Sequence, residues 1–398
     1  MLFRSFFSRR IGIEPKTGRV VPIVGGGRLT GKVGGSLTLG GLQLFTDDVT
    51  GVQVANSYSV GRVIRELPNR SRVGAIAVQR MATDNSGDYN RTFGVDSRLG
   101  LGQPGTVDAW VATTETPGRT GRNEAFNVRA AYLTRDWSNF IRYIQVGEDF
   151  NPEVGFMNRT AYREIEANVT RVVRLPRVPG WRQATPHITY RSFWDFSGFQ
   201  QTGYLHFHLD SELKGGGRVS TEANFSREGL QRPFTIAPGV VIPTGTYNYV
   251  VNGWDLGSNP SAPLSFVTRL DLAGFYQGHR WGENTTVTFR RGSALSTSLS
   301  LAQNFVRLPQ GNFNTTLLGT RVSYYFTPHI YLQSLLQYNN QATLWSANIR
   351  FAWLNTAGTG LYVVYNQGEA ASSFTSLDRV MGRSITVKYT RQFGLSGS

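Results

Sequence analysis

The chain has 398 residues with 45 Gly, 16 Pro and no Cys; 40% of its residues are hydrophobic and its formal net charge is +15. No apolar run approaches the ~18 uninterrupted residues that a membrane helix requires, and the mean hydropathy is −0.26, so a helical-bundle membrane protein is excluded. Without cysteine, disulfides, thiolate nucleophiles and Cys-ligated zinc or iron–sulfur centres are excluded together.

The amino terminus reads MLFRSFFSRR, with Arg4, Arg9 and Arg10 breaking the apolar stretch of about 7 to 15 residues that a secretory leader needs. No leader is read, and for an exported protein the expectation is a mature or partial piece of a longer polypeptide. Up to about residue 90, Gly pairs such as Gly34-Gly35 and Gly40-Gly41 blur the periodicity. Beyond it strict alternation sets in. Phe126, Val128, Ala130 and Tyr132 stand against Asn127, Arg129 and Ala131, and Leu205, Phe207, Leu209 and Leu213 against His206, His208, Asp210 and Glu212. Further on, Leu318, Val322, Tyr324 and Phe326 oppose Arg321, Ser323 and Tyr325, and Ile330, Leu332, Leu336 and Tyr338 oppose Tyr331, Gln333, Leu335 and Gln337. In residues 344–353, Trp345, Ala347, Ile349, Phe351 and Trp353 share one face and Ser346, Asn348, Arg350 and Ala352 the other. The last element sets Ile385, Val387, Tyr389 and Phe393 against Ser384, Thr386, Lys388, Thr390 and Gln392. Successive side chains of a strand point to opposite faces, so each element has one apolar, aromatic wall and one hydrophilic wall.

Strands therefore fill the chain. About 22 are expected, within a range of about 18 to 24, at a spacing that suits tilted strands of about 10 residues crossing a bilayer. Connections alternate in length. Those at 34–35, 66–71, 102–105, 135–138, 214–217, 258–262, 292–293, 327–329 and 355–358 are short, whereas 14–27, 147–160, 227–245 and 368–383 are long. Tight periplasmic turns opposite long extracellular loops characterise outer-membrane barrels. This register puts both ends of the chain on the periplasmic side, and the link 175–186 is too long for that side. The 24 Phe, 17 Tyr and 8 Trp support interfacial girdles, many of them falling near strand ends (Trp137, Tyr162, Trp194, Phe196, Tyr276). A soluble sandwich also alternates, since aromatics favour strands generally; blade repeats of a propeller are not apparent. The expected fold is thus all-β: one transmembrane antiparallel β-barrel domain spanning residues 1–398, multi-pass in the outer membrane of a Gram-negative bacterium. Trp345, Phe351, Trp353, Tyr324 and Phe326 are its lipid-facing aromatics.

Three segments carry a family resemblance: residues 6–13 (FFSRRIGI) leading to 21–35 (VPIVGGGRLTGKVGG), 146–163 (VGEDFNPEVGFMNRTAYR), and 325–338 (YFTPHIYLQSLLQY) with 345–353. The chain resembles, over essentially its whole length, an uncharacterised bacterial outer-membrane barrel family. Full-length members of that family carry a periplasmic, family-9-like carbohydrate-binding domain before the barrel. The resemblance implies an outer-membrane barrel without established chemistry, and this chain begins where the family's barrel begins, lacking the sugar-binding-like domain.

Only four of the 41 basic residues are Lys (Lys16, Lys32, Lys214, Lys388), so the positive excess is guanidinium. Arg98, Arg129, Arg269, Arg321 and Arg350 fall on the faces assigned to the lumen, where planar forks hold carboxylates or phosphates. Two readings stay open. The arginines form an anion-favouring wall that concentrates oppositely charged solutes, or they pair with Asp96, Glu164, Glu166, Asp195, Asp210 and Asp271 and brace the barrel. Nucleic acid is not an expected partner, because the arginines are spread and no reader motif accompanies them; membrane lipid and lipopolysaccharide are.

His206, His208, Asp210 and Glu212 bear metal-ligand chemistry, but same-face neighbours on one strand stand about 7 Å apart. One ion reaches two of them at most, so they are read as polar lumen lining, with Asp271, and no metal is expected. His187, His279 and His329 lie scattered near strand ends. The acidic loop at 147–153 offers Glu148, Asp149, Asn151 and Glu153. Its oxygens could hold calcium, but without EF-hand spacing the segment is read as a structural loop; alternatively it folds inward against wall arginines and constricts a barrel wide enough to need a plug. No Gly-X-Ser-X-Gly elbow or comparable signature appears, so neither catalysis nor a cofactor is expected. Function follows as a passive pore or conduit for polar solutes, anions among them. The alternative is a non-conducting membrane anchor for a carbohydrate-binding domain.

Overall fold

A computed structural model describes residues 6–14, 18–84, 87–355 and 359–391. Among them are 24 strands, of which 22 belong to one antiparallel sheet while Phe234–Ala237 and Val240–Ile242 form a hairpin of their own. The fold is all-β, with the strand length, face alternation and hairpin connectivity of the transmembrane β-barrel class. Gln392 and Phe393, which the alternation placed in the last strand, lie outside the described residues.

The chain divides into two compact units, Met1–Arg171 with Ile188–Leu205, and Val172–His187 with His206–Ser398. In the first unit each strand from Ile23–Val33 to Tyr162–Arg171 pairs with the next. The register sorts side chains as the sequence alternation demands. Phe93, Val95, Val111 and Ile141 are exposed on one face, while Asp96 opposite Trp110, Arg98 opposite Asp108 and Arg129 opposite Arg142 share the other. The three-residue hairpin turns 34–36 and 68–70 take left-handed backbone at Gly34 and Gly35 and at Asn69 and Arg70 (φ 59°, 74° and 57°, 59°), a conformation that turns the chain tightly between antiparallel strands.

Two expectations are corrected here. Ile23 lies beside Thr46, which leads into the connection 47–55, so the first strand starts at the end of the longer connections and not at the short-turn end. The second half of the supposed link 175–186 is strand: Trp181–Trp194 runs through Pro186. Proline removes one ladder donor but keeps extended φ, so it lowers strand propensity without ending the strand.

In the second unit the meander runs from Arg218–Leu230 through Gly245–Gly257 and onward to Arg379–Thr390. Trp353 is 56% and Phe326 59% exposed, Tyr324 is exposed and meets Phe326 edge to face at 4.9 Å, and Trp281 stacks on Phe305 at 5.0 Å. Phe351 shares this face half-buried, whereas Trp345 is partly covered, donating its Nε1–H to the Phe374 carbonyl at 3.0 Å. The alternation of connection length is weaker here than expected. Residues 276–277 and 309–310 are two-residue turns on the side that also carries 231–244 and 371–378, because Leu264–Phe275, Gly278–Arg291, Leu295–Leu308 and Gly311–Thr327 spend their residues on strand.

The packed apolar clusters sit on the polar face, at the end of the longer connections. In the first unit the 147–161 segment lays Phe150 against Ala112, Ala125 and Val146, and Val154 against Ile11, Tyr58 and Val78. In the second, the hairpin Phe234–Ile242 buries Ile242 completely in a cluster with Tyr247, Val306 and Leu308. Tyr276 packs there too, where burial pushes its hydroxyl above the usual phenol range.

Candidate functional site

The polar face gathers nearly all the charged chemistry. In the first unit Arg62 meets Asp96 at 2.5 Å, Arg98 meets Asp108 at 2.6 Å, and Glu164 accepts from Arg142 and Arg191 at 2.7 Å each, with Glu166 also on Arg142. Arg62 reaches Asp96 by passing over Gly74, where an added Cβ would stand 2.8 Å from the guanidinium and 2.9 Å from the Val63 carbonyl. Arg129 has its guanidinium over the Phe140 ring at 4.5 Å.

The acidic loop docks on this face. Arg80, whose side chain is 13% exposed, bridges Asp88 and Glu153 at 2.6 Å each and donates to Asn56 Oδ1 at 2.9 Å. The Asn151 N–H donates to Thr114 Oγ1 at 2.9 Å, and Asn90 Nδ2 to the Asn151 carbonyl at 2.8 Å. Asp149 accepts the Gly121 N–H at 2.7 Å, while Glu148 reaches Arg122 at 3.6 Å with both side chains half exposed. Of the four loop residues singled out by sequence, Asn151 and Glu153 face the wall; Glu148 and Asp149 tie the loop to the neighbouring connection.

In the second unit Arg269 holds three carboxylates, Glu222, Asp255 at 2.9 Å and Asp271 at 3.0 Å, and Arg280 reaches Asp271 at 3.4 Å. The Arg269–Glu222 contact crosses Gly253, whose missing side chain leaves the lane open. Such pairing matches the bracing reading for Arg98 and Arg269. Arg321 and Arg350, by contrast, have no carboxylate partner among the described residues. Arg321 lies opposite Leu335 in the register, beside a recess of about 490 Å³ lined by Gln337, Ser346, Asn348, Asn366 and Ser384.

His206 and His208 do not stand alone. His187, from Trp181–Trp194, brings Nε2 to 3.1 Å from His206 Nε2, and the three rings lie 4.7 to 5.2 Å apart by centroid. Asn224 fixes the tautomer of His206. Its Nδ2 donates to Glu222 at 3.0 Å, so its Oδ1, 2.5 Å from His206 Nδ1, accepts the Nδ1–H and leaves Nε2 as the lone-pair nitrogen. Asp210 faces His208 at 3.4 Å and His187 at 3.9 Å and accepts from Ser220 at 2.8 Å; Glu212 is exposed outside the cluster. Sequence reading missed His187 because it weighed one strand by itself.

No family profile and no curated protein matches the sequence. Among solved structures the chain is similar to the copper transporter OprC, with 8% identity over 92% of this chain and 71% of that one and a TM-score of 0.34. A likeness at that score carries no argument about what this chain does.

Proposed function

We propose that the chain is a barrel of a Gram-negative outer membrane whose polar face lines a passive route for polar solutes, anions among them. The observation that supports this most is the division of the strands into two chemically opposite faces. One bears exposed aromatic and aliphatic side chains suited to lipid, with Trp353 and Phe326 more than half exposed. The other bears an arginine–carboxylate lattice suited to water. Lipid-facing apolar side chains alternating with a polar wall are what a spanning sheet requires, since hydrocarbon satisfies no polar group. Anion preference rests on Arg321 and Arg350, which carry charge that no described carboxylate neutralises and can exchange part of an anion's hydration shell for guanidinium contacts. Lipopolysaccharide phosphates are the expected partners of arginines outside that wall.

Reconstitution in planar bilayers under a salt gradient tests the reading. Expected is a reversal potential of anion-selective sign that moves toward zero in the Arg321→Gln/Arg350→Gln double variant. Cation selectivity in the parent protein would refute the anion preference. A specific observation favours the second reading, an anchor for a binding domain of the kind the family resemblance implies: in each unit an apolar segment is docked on the polar face. Absence of conductance, even after Phe234–Ile242 is replaced by a short polar turn, would select the anchor.

A further inference from the structure

The three imidazoles of His187, His206 and His208 bring together three of the chain's five histidines, with candidate ligand nitrogens within 4.8 Å of one another. We propose that they form a binding site for one divalent late first-row transition ion, of the zinc or copper class, held on the polar face of the second unit.

The geometry carries this. Imidazole nitrogens that share a tetrahedral ion sit about 2.0 to 2.1 Å from it, which places the nitrogens about 3.3 Å and the ring centroids about 5 Å apart. The His187 and His206 nitrogens are 3.1 Å apart and the three centroid separations are 5.0, 4.7 and 5.2 Å. The ring centroids are therefore spaced as they would be around one ion, and nitrogens that lie within 4.8 Å of one another have only to turn toward it by side-chain rotation. A second observation is independent of that spacing: His208 Nε2 is buried and makes no hydrogen bond, although Asp210 Oδ1 stands 3.4 Å away. A buried ring nitrogen left without a hydrogen bond costs free energy that a bound ion would recover.

The surroundings are those of a metal site. Asn224 orients His206 from behind through Nδ1, leaving Nε2 to the ion, the role that second-layer hydrogen bonds play for ligating histidines. Asp210 and Glu222 approach the cluster at 3.4 to 3.9 Å and supply negative charge without crowding it. His187 gives up its Nε2–H bond to His206 by moving that proton to Nδ1, which faces Asp210. An all-imidazole set of neutral nitrogens selects zinc, copper, nickel or cobalt over the hard calcium and magnesium ions, which take oxygen ligands.

The test uses the full chain purified in detergent micelles, titrated with Zn²⁺ calorimetrically and with Co²⁺ by visible absorption. Expected are one Zn²⁺ per chain, a Co²⁺ ligand-field band, at least tenfold weaker binding in His187→Ala and in His208→Ala, and roughly tenfold weaker binding in Asn224→Ala. His279→Ala binds as the parent does. Each variant is scored only with strand circular dichroism and heat-modified gel mobility like the parent's, and His208→Gln stands in should His208→Ala not fold. Failure of the parent to bind Zn²⁺, parent-like affinity in the folded variants, or equal affinity for Mg²⁺ would each overturn the site and leave a hydrogen-bonded imidazole cluster. Binding is read without conductance, so a protein that binds zinc and passes no current refutes the pore alone.

Discussion

Phe150→Ala measures how firmly the 147–161 segment is held on the polar face. Phe150 is 2% exposed, enclosed by Ala112, Ala125 and Val146 with Trp110, Ile144, Met157 and Tyr162 around them. Truncating a ring so enclosed costs about 3 to 5 kcal/mol in transfer and cavity terms together. The lower figure applies because a surface segment can collapse partly into the space. At 1.36 kcal/mol per decade, a loss of about 3 kcal/mol shifts the docked-to-undocked ratio by roughly two decades. The strand ladder does not depend on this ring, so the loss appears as local opening. Amide hydrogen exchange in micelles resolves it. The N–H groups of Asp149 and Asn151, which bond Arg122 and Thr114, should exchange about 100-fold faster, within the range local openings span, while amides of Trp137–Val146 keep the parent rate. Phe156, more exposed and paired with Phe7 at 6.0 Å, is the comparison, with an expected change under about tenfold on replacement by Ala. Asn151 exchanging at the parent rate in Phe150→Ala would refute the docking.

Three further outcomes follow from the same contacts. Glu153→Lys should lower stability by about 1 to 3 kcal/mol in urea unfolding because it sets a cation against the mostly buried Arg80, whereas Glu148→Lys should stay within about 0.5 kcal/mol, its pair being half exposed. Gly74→Ala should cost about 1 to 3 kcal/mol, since the methyl meets a backbone carbonyl and displaces the Arg62 bridge; Arg62→Met in that background should then add little, as double-mutant additivity tests. Asp378 accepts the Ser372 N–H at 2.6 Å, and this bond holds its carboxyl below the usual range. Because the folded value lies below the unfolded one, the contribution is complete above about pH 4 and fades only as pH falls through the depressed value. Protection of the Ser372 amide should therefore persist to pH 4; loss beginning near pH 6 would contradict this.

Strand identity was legible wherever one face is wholly apolar. Residues 345–353 keep one face wholly apolar, Trp345, Ala347, Ile349, Phe351 and Trp353, and fold within Leu344–Leu354. Trp181–Trp194 was hidden because Pro186 imitates a chain break. The docked segment was seen for its charges, Glu148 and Asp149, yet Phe150 and Val154 supply its burial, and two apolar residues among carboxylates carry no periodic signal. His187 was harder to find. A hairpin centred on residue 197, inside the connection 195–199, sets 187 opposite Phe207 on the apolar face, so a simple cross-strand count would not have brought it to His206 and His208. The arginine bridges needed the register itself, since only pairing reveals that Gly74 lies between Arg62 and Asp96, and Gly253 between Glu222 and Asp271.

Gly311–Thr327 has 17 residues, about 55 Å at strand rise, whereas a hydrocarbon layer of about 30 Å crossed at 45° takes up only some 42 Å. The surplus has to stand in water as ordered ribbon, joined to its neighbours by two-residue turns too tight to flap. Where other proteins of this architecture grow pliable loops, this stretch grows a parapet. The hairpin Phe234–Ile242 leans against firm masonry there, and that edge of the unit keeps a fixed outline.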